Sequence, residues 1–251
     1  MRISHLNGPA GNDRVRVKCP VVEPGTAVLL ILGQSNAANT LNRRLTKAHA
    51  GVVNFSIYDG HCYEARDPLV GATCTNGNFA TLLGNRLIEE GFYTQVVLTP
   101  IAVCGTVIAQ WAPEGEHNPR ITAAILRLRE AGLEPTHVLW HQGEGDCLTP
   151  PDTYRHALQG VVRTIRHAGV DAPMFVAQAT VCDSDPSEAI RAVQRSMVDH
   201  GAGIFAGPDT DQLGAEWRHD RCHFSGEGGK RVAELWLAAL TADPPVDHRT
   251  G

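Results

Sequence analysis

Short apolar runs of strand length alternate along this chain with amphipathic stretches of helical spacing, and glycines close most of those stretches. Ala27 to Leu32, Val52 to Ile57, Gln95 to Val103, His137 to His141 and Pro173 to Thr180 read as strands, with a short further strand at Gly203 to Ala206. Between them, Phe79 to Glu90, Ile121 to Ala131, Tyr154 to His167 and Ser187 to His200 read as helices, stopped by Gly91, Gly132, Gly169 and Gly201. A last helix runs from Ser225, its N-cap, to Leu240. Strands that alternate with helices imply a mostly parallel sheet covered on both faces. In such sheets ligands bind beyond the carboxyl ends of the strands. No internal repeat or linker interrupts the pattern, so one domain over residues 1–251 is expected, with its core at about 26–240.

Composition narrows the partners. The chain has 251 residues, 43% of them hydrophobic, enough for a sizeable core without disulfide or metal staples. A formal net charge of -5, with basic residues only in pairs such as Arg43-Arg44, argues against nucleic acid or an anionic membrane. The longest apolar run, Ala27 to Leu32, is far too short for a bilayer. The first twenty residues show no apolar signal-peptide core, and a cytoplasmic protein is expected, or a periplasmic or secreted one if the chain is a mature form. Seven cysteines occur at irregular spacing without a C-x-x-C. They read as reduced core fillers of a cytosolic protein; the other reading is a periplasmic protein with a bridge such as Cys62 to Cys74.

The distinctive polar residues cluster where the strands end. Ser35 follows the first apolar run in Gly33-Gln34-Ser35-Asn36. At a strand-to-helix turn its hydroxyl would be a nucleophile and its N–H an oxyanion donor, although a strand-end serine also serves as a plain N-cap. Gly105 follows another strand, where a glycine lets a substrate approach the backbone N–H. Gln142 ends a third strand, and its amide is a further candidate donor. Near the C-terminus, Asp220-Arg221-Cys222-His223 has D-x-x-H spacing. One loop can then present a carboxylate to the imidazole Nδ1 and leave Nε2 facing a hydroxyl.

Together and in this order, these blocks resemble the SGNH/GDSL hydrolase superfamily, in its sialate O-acetylesterase-like branch, which includes carbohydrate esterase family six. Gly33 to Asn36 match its G-Q-S-N nucleophile block. Cys104 to Trp111 match its glycine block, Trp140 to Glu144 its W-x-Q-G-E block, and Asp220 to His223 its D-x-x-H block. "ARDPL", Ala65 to Leu69, resembles a further segment. Two positions depart: Cys104 replaces the first glycine, and Gly145-Asp146 replace the more usual serine and asparagine.

The resemblance implies a flavodoxin-like α/β/α sandwich with a mostly parallel five-stranded sheet, and an enzyme that removes acetyl groups from sugars without a metal or other cofactor. It implies Ser35, His223 and Asp220 as a triad, with Ser35, Gly105 and Gln142 around the oxyanion. Gln34, Asn36 and Trp111 stand as substrate-binding or supporting residues. Glu144 either fixes a loop or partners His223 in place of Asp220. The substrate class is a small-molecule or oligosaccharide acetyl ester. The other readings are a short-chain esterase acting on non-sugar esters and a non-catalytic sugar-binding relative.

Rival readings are weaker. His219 and His223 are four apart, but glycines begin at Gly226 and no H-E-x-x-H occurs, so a catalytic metal is not expected. "SGEGGK" fails the spacing of a phosphate loop.

Overall fold

The computed structural model describes residues 14–242. Its strands are β1 (Arg16–Val17), β2 (Thr26–Gly33), β3 (Val52–Ser56), β4 (His61–Glu64), β5 (Gln95–Pro100), β6 (His137–His141), β7 (Met174–Gln178) and β8 (Ile204–Asp209). Its helices are α1 (Phe79–Glu89), α2 (Asn118–Glu130), α3 (Pro151–His167), α4 (Glu188–Ser196) and α5 (Gly226–Ala242). All the strands join one sheet in the order β1-β4-β3-β5-β2-β6-β7-β8. From β3 to β8 every pairing is parallel, whereas β4 and β1 add an antiparallel edge.

The sheet thus has eight strands, not five. The additional edge was invisible to periodicity because β1 and β4 are two and four residues long and half polar. Elsewhere the ends shift. The regular part of β5 stops at Pro100, which has no N–H to continue a ladder. Its continuation still donates from Ile101 to Ile31 O (2.8 Å) and from Val103 to Gly33 O (3.0 Å). Helix α4 ends at Ser196, short of the expected His200, which instead opens a separate turn capped by Asp199. Ser225 caps α5 as expected, accepting from Gly228 N at 3.1 Å.

Strand β2 has no exposed residue because it runs down the middle of the sandwich. Val28, Leu30 and Leu32 point to one face, against apolar residues of α2, α3 and α4. Ala27, Leu29 and Ile31 point to the other, against α1 and α5. Truncating such a side chain, as in Leu30→Ala, costs about 2–5 kcal/mol, the removed contacts plus the cavity left behind. The order reverses at β2: β5 lies on one side and β6 on the other. That reversal opens a crevice past the carboxyl end of β2, where Ser35 lies.

Candidate active site

Gly33 and Ser35 explain how the chain turns at that crevice. A Cβ on Gly33 would sit 1.9 Å from the His141 carbonyl oxygen, and its φ of +139° suits glycine alone. Ser35 then opens a three-residue 3₁₀ turn, Ser35–Ala37, not the start of an α-helix. The expected helix dipole behind Ser35 is therefore absent, and side chains take over the fixing. Thr40 Oγ1 donates to the Ser35 carbonyl at 2.7 Å.

Gln34 and Asn36, on either side of Ser35, are buried, and their hydrogen bonds make them struts of the turn. Gln34 Oε1 accepts from Gly145 N (2.9 Å) and Gln142 Nε2 (3.1 Å). Asn36 Nδ2 donates to Glu144 Oε1 (2.8 Å) and to the Cys222 carbonyl (3.2 Å). Asn36 Oδ1 accepts from Phe224 N at 3.4 Å. One side chain next to Ser35 thereby grips the residues on both sides of His223.

Asp220 and His223 form the pair that their spacing suggested. His223 Nδ1 lies 2.7 Å from Asp220 Oδ2, and Asp220 Oδ1 accepts from the backbone N–H groups of Cys222 (3.1 Å) and His223 (2.6 Å). Partial burial works against the Asp220 carboxylate, but these hydrogen bonds outweigh it and hold the carboxyl down to about 2. Asp220 therefore stays ionised wherever an imidazole can act as a base.

Glu144 does not touch His223. Its side chain is 2% exposed, bonded to Asn36, and 3.7 Å from His141 Nε2. Burial pushes its carboxyl up to about 7, against the pull of the Asn36 hydrogen bond. Burial likewise drives His141 down to about 3, with the Arg218 charge adding to it, so that imidazole is neutral. Of the two roles open to Glu144, the loop-fixing one fits this geometry.

Two expected contacts do not survive the packing. Gln142 is fully buried, and its amide nitrogen donates to Gln34 Oε1 and Asp146 Oδ2. Its protons are committed to the scaffold, which removes it from the set of oxyanion donors. Trp111 is 0% exposed, bonded through Nε1 to Thr106 Oγ1 (3.0 Å) and packed edge-on against Trp140. It supports the glycine block and has no face left for a sugar. Gly105, in contrast, is exposed at φ +74°, with open space where a Cβ would point. A residue with a side chain would be strained there by conformation, not by crowding.

Several residues that build the site were not expected to do so from the sequence. Arg218 is 7% exposed and donates to the carbonyls of Leu213, Thr210 and Cys222, with its guanidinium 4.2 Å above the Phe224 ring. Asp146 accepts from Ile108 N (2.8 Å) and Thr149 Oγ1 (2.7 Å), so the departure at this position ties two loops together. The cysteines are bonded, contrary to the reduced reading. Cys19 pairs with Cys62, Cys74 with Cys104 and Cys182 with Cys222, leaving Cys147 free; the Cys62–Cys74 bridge does not form. Sequence separations of 30 to 43 residues hid these pairings, because connectivity is set by the fold and not by spacing. Cys104 adjoins Gly105 and Cys222 adjoins His223, so two of the bridges staple loops of the site.

A central parallel sheet covered by helices, with a serine past the carboxyl end of its middle strand and a carboxylate-held histidine on the loop after β8, defines a three-layer α/β fold with a candidate esterase site at its switch point. Residues 25–241 match the family model "Carbohydrate esterase, sialic acid-specific acetylesterase", and the chain belongs to that family. Among curated proteins it is 26% identical over 183 residues to an Arabidopsis thaliana protein named "Probable carbohydrate esterase", covering 62% of this chain and 68% of that one. The crystal structure of that plant protein superposes with a TM-score of 0.72 at 18% identity, over 88% of this chain and 99% of the other. A carbohydrate acetylesterase from Xanthomonas citri gives 0.58 at 14% identity, over 85% and 55%. At these identities the solved structures speak for the fold. Among the described residues, no helix is long and apolar enough to cross a membrane.

Proposed function

We propose that this chain is a serine esterase that removes O-acetyl groups from sugars, with Ser35, His223 and Asp220 as its triad. The observation that carries this reading is the double grip on His223. Asp220 holds Nδ1 at 2.7 Å, and Asn36 ties the residues flanking His223 to the turn that bears Ser35. The Nδ1 proton is thereby fixed, and Nε2 is the basic nitrogen.

In the first half-reaction His223 Nε2 takes the Ser35 proton as Oγ bonds to the acetyl carbon. The N–H groups of Ser35 and Gly105 stabilise the oxyanion, while Gln142 positions the Gln34 and Asp146 struts. The C–O bond to the sugar breaks, and the proton on Nε2 passes to the departing hydroxyl. Water then gives a proton to Nε2 and attacks the acetyl-enzyme, the bond from the acetyl carbon to Ser35 Oγ breaks to release acetate, and the proton on Nε2 returns to Oγ. No step is asked of a metal or cofactor.

A graded set of aryl esters tests the acyl group. Each methylene is worth about 1–3 kcal/mol in a confined pocket, so kcat/KM should fall steeply from acetyl to butyryl to octanoyl. Rising activity toward octanoyl would replace this reading with a lipolytic one. A screen over acetylated xylan, sialic acids and simple sugar acetates identifies the sugar.

The three bonded cysteine pairs support an oxidising compartment for the working enzyme, since reducing cytosol keeps such pairs open. Thiol trapping in the source cell should find Cys147 alone reactive; labelling of all seven cysteines would return the protein to the cytoplasm.

A further inference from the structure

His219 lies beside the Asp220–His223 pair. Its ring is nearly parallel to that of His223, with centroids 6.0 Å apart. His219 Nε2 is 3.1 Å from the Thr40 carbonyl oxygen. A carbonyl oxygen only accepts, so Nε2 carries the ring proton and Nδ1 of the neutral imidazole presents a lone pair. That lone pair lies 3.8 Å from Asp220 Oδ2, too far for a direct hydrogen bond. Two electron-rich atoms therefore face each other across a gap that a metal cation can bridge.

His223 supplies a third ligand. Its Nδ1 approaches the same carboxylate oxygen, and one ligand atom from each of the three residues lies within 4.8 Å of the others. Ligands on tetrahedral zinc, with bonds of about 2.0–2.2 Å, stand roughly 3.3–3.5 Å apart. Small side-chain rotations close the difference. The hydrogen bond from His219 to a backbone carbonyl is the outer contact that orients metal-binding imidazoles. Two imidazole nitrogens and one carboxylate oxygen suit Zn(II) better than Mg(II) or Ca(II). All three side chains reach solvent, at 26%, 43% and 27% exposure for His219, Asp220 and His223.

We propose that His219 Nδ1, Asp220 and His223 Nδ1 form a reversible Zn(II) site, and that zinc bound there switches the esterase off. Zinc takes the place of the proton shared between His223 and Asp220. Two Zn–N bonds and one Zn–O bond form, and the Nδ1–H···O bond is lost. The proton leaves Nδ1 for solvent while Nε2 takes one up, so none is released overall. With Nε2 protonated, His223 cannot accept the Ser35 proton. The switching rests on the reading of His223 as the base; the binding does not.

The test titrates zinc chloride into chelator-stripped protein and follows aryl acetate hydrolysis. Wild type should lose activity at micromolar zinc and regain it with EDTA. His219→Gln, whose amide can still donate to Thr40, should keep the basal rate and need at least on the order of tenfold more zinc. Cobalt(II) absorption provides a readout that needs no activity: a tetrahedral visible spectrum in wild type and in Ser35→Ala, absent in His219→Gln. A cobalt spectrum or zinc sensitivity unchanged by His219→Gln would overturn the site. A cobalt site lost with His219, together with full hydrolysis in saturating zinc, would keep the binding and overturn the switching.

Discussion

The two halves of the proposed catalytic apparatus are held in opposite ways. The turn at Gly33 to Thr40 continues the central strand and is buried throughout. Amide side chains and sheet contacts fix it from both sides. The loop at Arg218 to Phe224 follows the outermost strand, β8, and its Asp220 and His223 side chains are 43% and 27% exposed. It relies on the Cys182–Cys222 bridge, on Arg218 and on a short antiparallel bridge between Arg218 and Phe224. The proposed nucleophile is placed by the core, whereas the proposed base is placed by staples. A proton acceptor on the rim needs an accurate position and access to water, and a stapled loop supplies both.

The comparison predicts graded losses. The largest is at the buried end: Ser35→Ala should lower kcat by ~10⁶ while leaving circular dichroism unchanged. A phosphonofluoridate adduct mapped by mass spectrometry should fall on Ser35; full activity in the alanine variant would end the mechanism. On the stapled loop, Asp220→Asn should lower kcat by ~10⁴, because the amide holds the wrong imidazole tautomer. Glu144→Gln should cost far less, since a glutamine still accepts from Asn36. The reverse ranking would make Glu144 the partner of His223.

The staples themselves come next. Each bridge closing a loop of about 40 residues is worth about 4 kcal/mol against unfolding. Replacing Cys19 and Cys62 by serine should lower the urea midpoint and leave kcat per folded molecule intact, because that bridge lies at the β4 edge. Replacing Cys182 and Cys222 should lower both. Equal kcat in the two double variants would dissolve the distinction between core-placed and staple-placed halves.

The smallest effect belongs to Glu144, the strut between the halves. Its carboxyl is pushed from an ordinary 4.5 to about 7, so the folded protein keeps a proton that the unfolded chain releases. Stability from this group therefore falls as pH rises from about 4.5 through 7. Glu144→Gln removes the titration and should flatten that part of the profile, measured as urea midpoints at about pH 5 and about pH 8. An unchanged slope would assign the pH dependence elsewhere.

The same division governs what could be read from sequence. Strand β2 and the mostly parallel sheet around it were legible, because continuous apolar runs and glycine-stopped helices have only a few arrangements. Ser35, Asp220 and His223 were legible as candidates because their blocks are local. The roles of Gln142 and Trp111 were not. Whether an amide or indole faces a substrate or a neighbouring strut depends on partners far away, such as Gln34 for Gln142 at a separation of 108 residues. Arg218 and the cysteine pairs were hidden for the same reason, since no periodicity marks a residue that bonds across the fold.

The position of β2 also sets a timetable for the growing polypeptide. Its parallel neighbours pair Thr26 with Gln95 and Leu29 with His137, so this strand, once it leaves the ribosome, waits for partners made much later. Through that interval Ala27 to Leu32 is an unpaired, wholly apolar segment, the kind of surface that chaperones bind. The loop with His223 is translated later still, and a nascent chain carries Ser35 well before it carries the histidine proposed to deprotonate it. Pulse proteolysis of stalled chains should show β2 becoming protected only after β5 has cleared the exit tunnel, and esterase activity only after α5 has followed.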